Sequence, residues 1–131
     1  MRNYNCRRWA VTKLSEKEWM VLEQLWEGGK TTLGGLVQAL YPQTGWSRNT
    51  VLTYLSRMEA KGMIHVSKEE YPSRYLAAVS REECQSGERE RFLKQVYKGS
   101  TKDLVAAFLR EKPITEQERD ELRRLLDEME V

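Results

Sequence analysis

The chain has 131 residues, 40% of them apolar and 32% charged, which is enough for one core and too balanced for a disordered chain. Its net charge of +2 is unevenly spread: residues 1–80 carry 11 Lys+Arg against 7 Asp+Glu, net +4, and residues 81–131 carry 11 against 13, net −2. That division suggests a basic front and a mildly acidic back with separate tasks. The two cysteines, Cys6 and Cys84, and the single histidine, His65, show neither CxxC nor Cys/His spacing, so no zinc site and no cofactor is expected. The basic opening MRNYNCRRWAV has no apolar segment of a signal peptide, and no apolar run approaches the roughly 18–20 residues of a membrane span. These features predict a cytoplasmic protein without direct membrane binding.

Residues 1–12 read as a flexible basic arm with Arg2, Arg7 and Arg8. A first helix opens on the capping box Ser15-Glu16-Lys17-Glu18, carries an apolar stripe of Trp19, Val21, Leu22, Leu25 and Trp26, and ends at Gly28-Gly29. Thr32 caps a short second helix from Leu33 to Leu40 or Tyr41, which Pro42 is expected to stop. Gly34 and Gly35 inside it suggest close packing against another helix. Trp19, Trp26 and Trp46 could form an aromatic cage, but aromatic residues at helical spacing are expected in a core.

The stretch Trp46 to Gly62, WSRNTVLTYLSRMEAKG, reads as a helix capped by Ser47. At 100° per residue Val51, Leu55, Met58 and Gly62 share a core side. Asn49, Thr53, Ser56, Arg57 and Ala60 lie opposite, Thr50 is on the shoulder, and no carboxylate occurs on that face before Glu59 at its edge. Two strand-like segments follow, Met63 to Ser67 and Arg74 to Val79, joined by the polar turn Lys68-Glu69-Glu70-Tyr71-Pro72-Ser73. Three helices and a hairpin in this order predict a winged helix-turn-helix over residues 13–80. In that architecture the third helix enters the major groove and the hairpin, or wing, rests on the backbone. Lys68 and Arg74 bracket the wing as phosphate contacts, whereas Glu69 and Glu70 would repel DNA if turned towards it.

From Ser80 the chain turns helical and heavily charged. Ser80-Arg81-Glu82-Glu83 is a capping box for a helix to Tyr97, closed by Gly99; Ser100 starts another, and Thr115-Glu116-Gln117-Glu118 a third. Leu93, Val96, Tyr97, Leu104, Val105, Phe108, Leu109, Leu122, Leu125, Leu126 and Met129 give these helices apolar stripes too narrow for a core of their own. A second copy of the chain is the expected cover, which makes residues 81–131 a helical dimerisation domain. The predicted fold class is therefore mainly α with a small β-hairpin: an N-terminal winged helix-turn-helix plus a C-terminal three-helix dimerisation arm.

Over Leu14 to Met129 the chain resembles the BlaI/MecI/CopY family of bacterial penicillinase-type repressors. The motifs that carry the likeness are SEKEWMVLEQLWEGG, GWSRNTVLTYLSRMEAKGMI, VYKGSTKDLVAAFL and TEQERDELRRLL. The resemblance implies a dimeric winged-helix repressor on a dyad-symmetric operator. For the β-lactam branch of the family it also implies a membrane sensor-protease as partner, with repression lifted by cleavage between an Asn and a Phe in the dimerisation arm. The matching pair here is Ala107-Phe108, in which the Phe is kept and the Asn replaced. The paired Cys-x-Cys motifs of copper-sensing members are missing from the end Asp127-Glu128-Met129-Glu130-Val131. Leu52 stands where members often carry Lys or Arg.

The roles follow from position on the third helix. Ser47, Arg48, Asn49, Thr50 and Thr53, at its start, reach base edges or the nearest phosphates. Asn49 suits adenine, which presents an acceptor and a donor side by side in the major groove. Arg57 meets backbone, and Tyr54 either packs on the core or offers its hydroxyl to a phosphate. No Ser/His/Asp or Cys/His set converges and no phosphate-cradling Gly loop is present, so the chain is not expected to be an enzyme. The alternative from another class is a winged-helix protein–protein module, and a third is a repressor with a small-molecule pocket at its dimer interface.

Overall fold

A computed structural model describes residues 13–131; the basic arm with Arg2, Arg7, Arg8 and Cys6 lies outside the described residues. The elements in order are α1 (Glu16–Gly28), α2 (Leu33–Thr44), α3 (Arg48–Ala60), β1 (Ile64–Ser67), β2 (Arg74–Ala77), α4 (Arg81–Tyr97), α5 (Thr101–Glu111) and α6 (Glu116–Glu128). The architecture is mainly α with one small antiparallel hairpin, a winged helix followed by further helices.

Short polar side chains start these helices by satisfying amides that have no partner within the first turn. Ser15 accepts from the Glu18 amide while Glu18 returns to the Ser15 amide at 2.9 Å, a complete capping box. Ser80 with Glu83 and Thr115 with Glu118 repeat the reciprocal pattern. Thr32, Ser47 and Ser100 cap with the hydroxyl alone. At the end of α3 the Met63 amide donates to Met58 O at 2.9 Å and the Gly62 amide to Glu59 O at 3.0 Å. This is a Schellman closure, for which Gly62 takes φ +85° and turns the chain into β1.

Two expectations for α2 are corrected. Pro42 does not stop the helix, which continues to Thr44 and closes on Gly45 at φ +66°. Pro42 lacks the amide that would bond to Gln38 O, but Gln38 is exposed and water can serve its carbonyl. The last turn is held by Gly45 N donating to Tyr41 O at 2.8 Å and Thr44 Oγ1 to Leu40 O at 2.9 Å. Gly35, in turn, is crowded by the capping segment and not by another helix: a Cβ there would collide with Thr31 Oγ1 and lie 3.3 Å from Thr32 Oγ1.

The core is built where α1, α2 and α3 meet: Val21, Leu22 and Leu25 from the first, Leu36 and Leu40 from the second, Val51, Leu55 and Met58 from the third. Leu14, Met63, Ile64, Val79 and Cys84 complete it, and Trp19, Trp26 and Trp46 pack against its edge as core aromatics. The hairpin pairs Ile64 with Ala77, His65 with Leu76, Val66 with Tyr75 and Ser67 with Arg74, so β2 ends two residues before the expected Val79. Thr31, between α1 and α2, adds a bridge to Tyr75 through both backbone bonds, at 3.1 and 2.7 Å, and so moors the hairpin to the helices.

By compactness the chain divides after Arg91, inside α4. The first turns of α4 belong to the front unit. Cys84 is buried in its core, the Leu14 amide donates to Glu88 Oε2 at 3.3 Å, and Arg81 Nη2 lies 2.6 Å from Glu23 Oε1 with its guanidinium 5.3 Å from the Trp26 ring centre. The Trp26 indole donates to Val79 O at 2.9 Å. In the second unit, α5 and α6 have no buried residue.

Glu18 is the one charged side chain buried among the described residues, with Lys61 Nζ 2.8 Å from its Oε2. Burial pushes its carboxyl pKa up, but the Lys61 ammonium and the Ser15 amide and hydroxyl outweigh that, so the net shift is downward from 4.5. A carboxylate with a lowered folded-state pKa stabilises the fold above its unfolded value and loses that contribution as pH falls through the folded one. Glu18→Gln is therefore expected to cost about 2 kcal/mol at neutral pH. The gap between variant and wild type should shrink below pH 4.5, as urea denaturation of the two at pH 7 and pH 3.5 measures. An unchanged gap would remove the ionised pair from the account.

Candidate nucleic-acid interface

Once Val51, Leu55 and Met58 are committed to the core, the rotation of α3 is set. Arg48, Asn49, Leu52, Thr53, Ser56, Arg57, Glu59 and Ala60 are exposed, and Thr50 and Tyr54 are half-buried. The face expected to be free is free. Ser47 Oγ accepts from the Thr50 amide at 3.2 Å and lies 3.1 Å from Thr50 Oγ1, to which it donates, so these two hydroxyls are partly occupied in fixing the first turn. Thr53 Oγ1 donates to Asn49 O at 2.9 Å, which leaves its oxygen as an acceptor and its methyl as an apolar contact. Tyr54 stacks on Trp46, ring centres 4.9 Å apart and planes at 17°, and packs against the core. The ring thus serves packing.

The start of α3 and the returning limb of the wing come together. Arg48, Pro72, Ser73 and Tyr75 line a shallow cleft of about 360 Å³ with Thr32, Leu33 and Gly34 from the start of α2. No carboxylate lines it. Lys68 lies on a separate recess with His65, Val66, Ser67 and Glu69.

Arg74 is already engaged. Its Nη1 donates to Pro72 O at 2.7 Å and its Nε lies 3.7 Å from Glu70 Oε1. Glu70, expected to weaken the wing as a DNA contact, is held by Lys30 Nζ at 2.8 Å and accepts from Ser67 Oγ at 3.2 Å. The Lys30 ammonium foremost, with Ser67 and Arg74, lowers the Glu70 pKa against the opposing effect of desolvation. The carboxylate therefore stays ionised but is neutralised locally, and Glu69 is the one carboxylate of the turn without an ion pair among the described residues. Lys30 lies forty residues from Glu70. No local pattern announces that pairing, because it exists only once the hairpin is moored beside the α1–α2 connection.

A sequence profile described as penicillinase repressor matches residues 14–128. The chain belongs to the penicillinase repressor family. Members of this family are transcriptional repressors and not enzymes, and the chain is a DNA-binding repressor of winged-helix architecture. It is 26% identical over 115 residues to the methicillin resistance regulatory protein MecI of Staphylococcus aureus, covering 88% of this chain and 94% of that one. It is 24% identical over 118 residues to the penicillinase repressor of Bacillus licheniformis, covering 90% and 92%. Among solved structures, a MarR family protein from Bacillus stearothermophilus matches with a TM-score of 0.48 at 18% identity, over 95% of this chain and 79% of that one, too loose a likeness to argue from. Among the described residues no helix is long and apolar enough to cross a membrane, and no group of three or more His, Cys, Asp or Glu could hold a metal ion.

Because the Ser47 hydroxyl fixes the first turn of α3, Ser47→Ala is expected to lower stability by about 1 kcal/mol. Urea denaturation followed by circular dichroism measures it, and a loss below about 0.3 kcal/mol would show that the cap is dispensable.

Proposed function

We propose that the chain represses transcription as a homodimer on a dyad-symmetric operator, with α3 of each copy in the major groove. The observation that carries this reading is the free face of α3: polar, carboxylate-free as far as Glu59, and set by a helix whose other side is locked into the core. A helix of this kind fits the groove, and its first turns stand nearest the base edges. Asn49 reads adenine; Thr50 and Thr53 contact neighbouring edges; Arg57 meets the backbone. Arg48, on the carboxylate-free cleft beside the wing, takes a phosphate, as does Lys68 on the hairpin. Arg74 chiefly shapes the wing through Pro72 and Glu70.

Residues 13–80 serve as the DNA-binding domain in this reading and residues 81–131 as the dimerisation domain. Support for the second role comes from apolar side chains left in water: Phe108 is 57% exposed, Leu125 62% and Leu126 66%. Val96, Val105, Leu109, Leu122 and Met129 are likewise exposed, while Leu93, Tyr97 and Leu104 are half-buried. Phe92 and Ile114 join the exposed group, although they fall outside the stripes read from spacing. Helices of 11 and 13 residues, α5 and α6, are too short to be stable in water without an apolar partner. A second copy supplies one. Ala107-Phe108 lies in the middle of α5, so cleavage there by a sensor-protease requires that helix to unwind locally.

Fluorescence anisotropy on a duplex selected from a random pool, against a shuffled duplex, tests the reading. Wild type should bind selectively, with log affinity falling linearly with log salt by roughly 0.9 per phosphate neutralised. Asn49→Ala should cost about 1–3 kcal/mol of selectivity. Lys68→Ala should weaken all duplexes alike and flatten the salt slope by about 1. Equal, weak, salt-insensitive binding to both duplexes would instead favour α3 as a protein-docking helix. Independently, Leu125→Asp with Leu126→Asp should shift the species seen in sedimentation velocity from dimer to monomer. A monomeric wild type would end the dimer reading.

A further inference from the structure

Leu52 is the only large apolar side chain that α3 leaves exposed, at 39%. It sits three residues after Asn49, four after Arg48 and four before Ser56, and these three flanking residues are all exposed. On the helix they are its neighbours, so Leu52 borders the polar readout face instead of standing on a separate surface. The core does not need it, since Val51, Leu55 and Met58 fill the buried side. Thr53, on the other side of Asn49, has turned its hydroxyl proton inward to Asn49 O and has a methyl to offer.

In the major groove only one of the four bases carries an apolar group at its edge, the C5-methyl of thymine, and it pairs with aliphatic side chains. We propose that Leu52 reads a thymine C5-methyl beside the base contacted by Asn49, making it a specificity-determining residue of the interface. This rests on the reading of α3 as the major-groove helix and adds to it the class of base that one position must hold. A carbon–carbon contact of this kind discriminates by excluding water from a single methyl group. The preference is therefore modest per site, about three- to fivefold from one methyl group, and insensitive to salt, unlike the phosphate contacts.

The test replaces thymine by uracil, one position at a time, in a duplex selected by the wild-type protein from a random pool. Uracil pairs as thymine does and lacks only the methyl. At one position of each half-site the wild type should lose about three- to fivefold in affinity. Leu52→Ala should bind the thymine and uracil duplexes equally there, whereas Leu52→Met should keep most of the preference. Thermal melting of both variants checks that a surface change has left the fold intact. If every uracil duplex binds wild type as tightly as the parent, or if Leu52→Ala retains the full thymine preference, Leu52 is an ordinary surface leucine and the inference is wrong. If the wild type selects no duplex at all, the repressor reading of α3 fails first and this inference falls with it, an outcome distinct from selective binding without a methyl effect.

Discussion

The seam of Val51, Leu55 and Met58 against α1 and α2 is the constraint on which the interface depends. A helix presents whatever its buried stripe leaves over, and a slip of one residue rotates every side chain by 100°. With three close-packed apolar side chains on one side, such a slip would bury Leu52, Ser56 and Glu59, or Thr50, Tyr54 and Arg57, in place of residues shaped for the core. Packing at that density resists it, because each displaced methylene is felt as a void or a clash. The exposed face of α3 is thus held in place for reasons located on the opposite side of the helix. Ser47 at one end and the Gly62 closure at the other set the length over which that face is presented.

Electrostatics follows from the same placement. Two acidic groups near the hairpin and α3 are neutralised, each in its own way, while Glu59 and Glu69 are exposed without an ion pair among the described residues. Glu18 is taken into the core and paired with Lys61, the residue that terminates α3, so the neutralising cation comes from the helix it serves. Glu70 stays at the surface but is bound by Lys30, Ser67 and Arg74. Those contacts shape the turn of the wing, and as exposed ion pairs they contribute little to stability. Their value lies in geometry and in local neutrality. Beside Glu70, Tyr71 is 99% exposed.

Local rules carried most of the fold. The helix starts at Ser15, Ser47, Ser80, Ser100 and Thr115 were legible because a cap involves only residues within one turn, and the core stripe of α3 because it obeys a single period. Pro42 misled because proline is penalised for an amide that, in a last turn facing solvent, has little to lose. Gly35 misled because a glycine signals only that space is short and not what occupies it. The Thr31–Tyr75 bridge and the Lys30–Glu70 pair join residues forty or more positions apart and leave no periodic trace. For the candidate site, exposure of Asn49, Thr53 and Arg57 was legible from the wheel. The partial occupation of Ser47, Thr50 and Arg74 by internal bonds was not, since it depends on rotamers that spacing does not encode.

The short helices beyond Arg91 join stability to recognition in the proposed dimer. An 11-residue and a 13-residue helix without buried side chains have too few internal bonds to repay their own nucleation. In the proposed dimer their order comes from association, so it depends on protein concentration. Two α3 helices, each with a modest set of base contacts, bind a palindrome tightly only when held about one helical turn of DNA apart, roughly 34 Å. Association is then what converts two weak half-site contacts into one strong one, because the second contact forms within a tethered pair. Anything that unwinds α5 would act on DNA affinity without touching α3. In that dimer, control of affinity would reside in the helices that bury no side chain, and sequence preference in the part of the chain that holds the core.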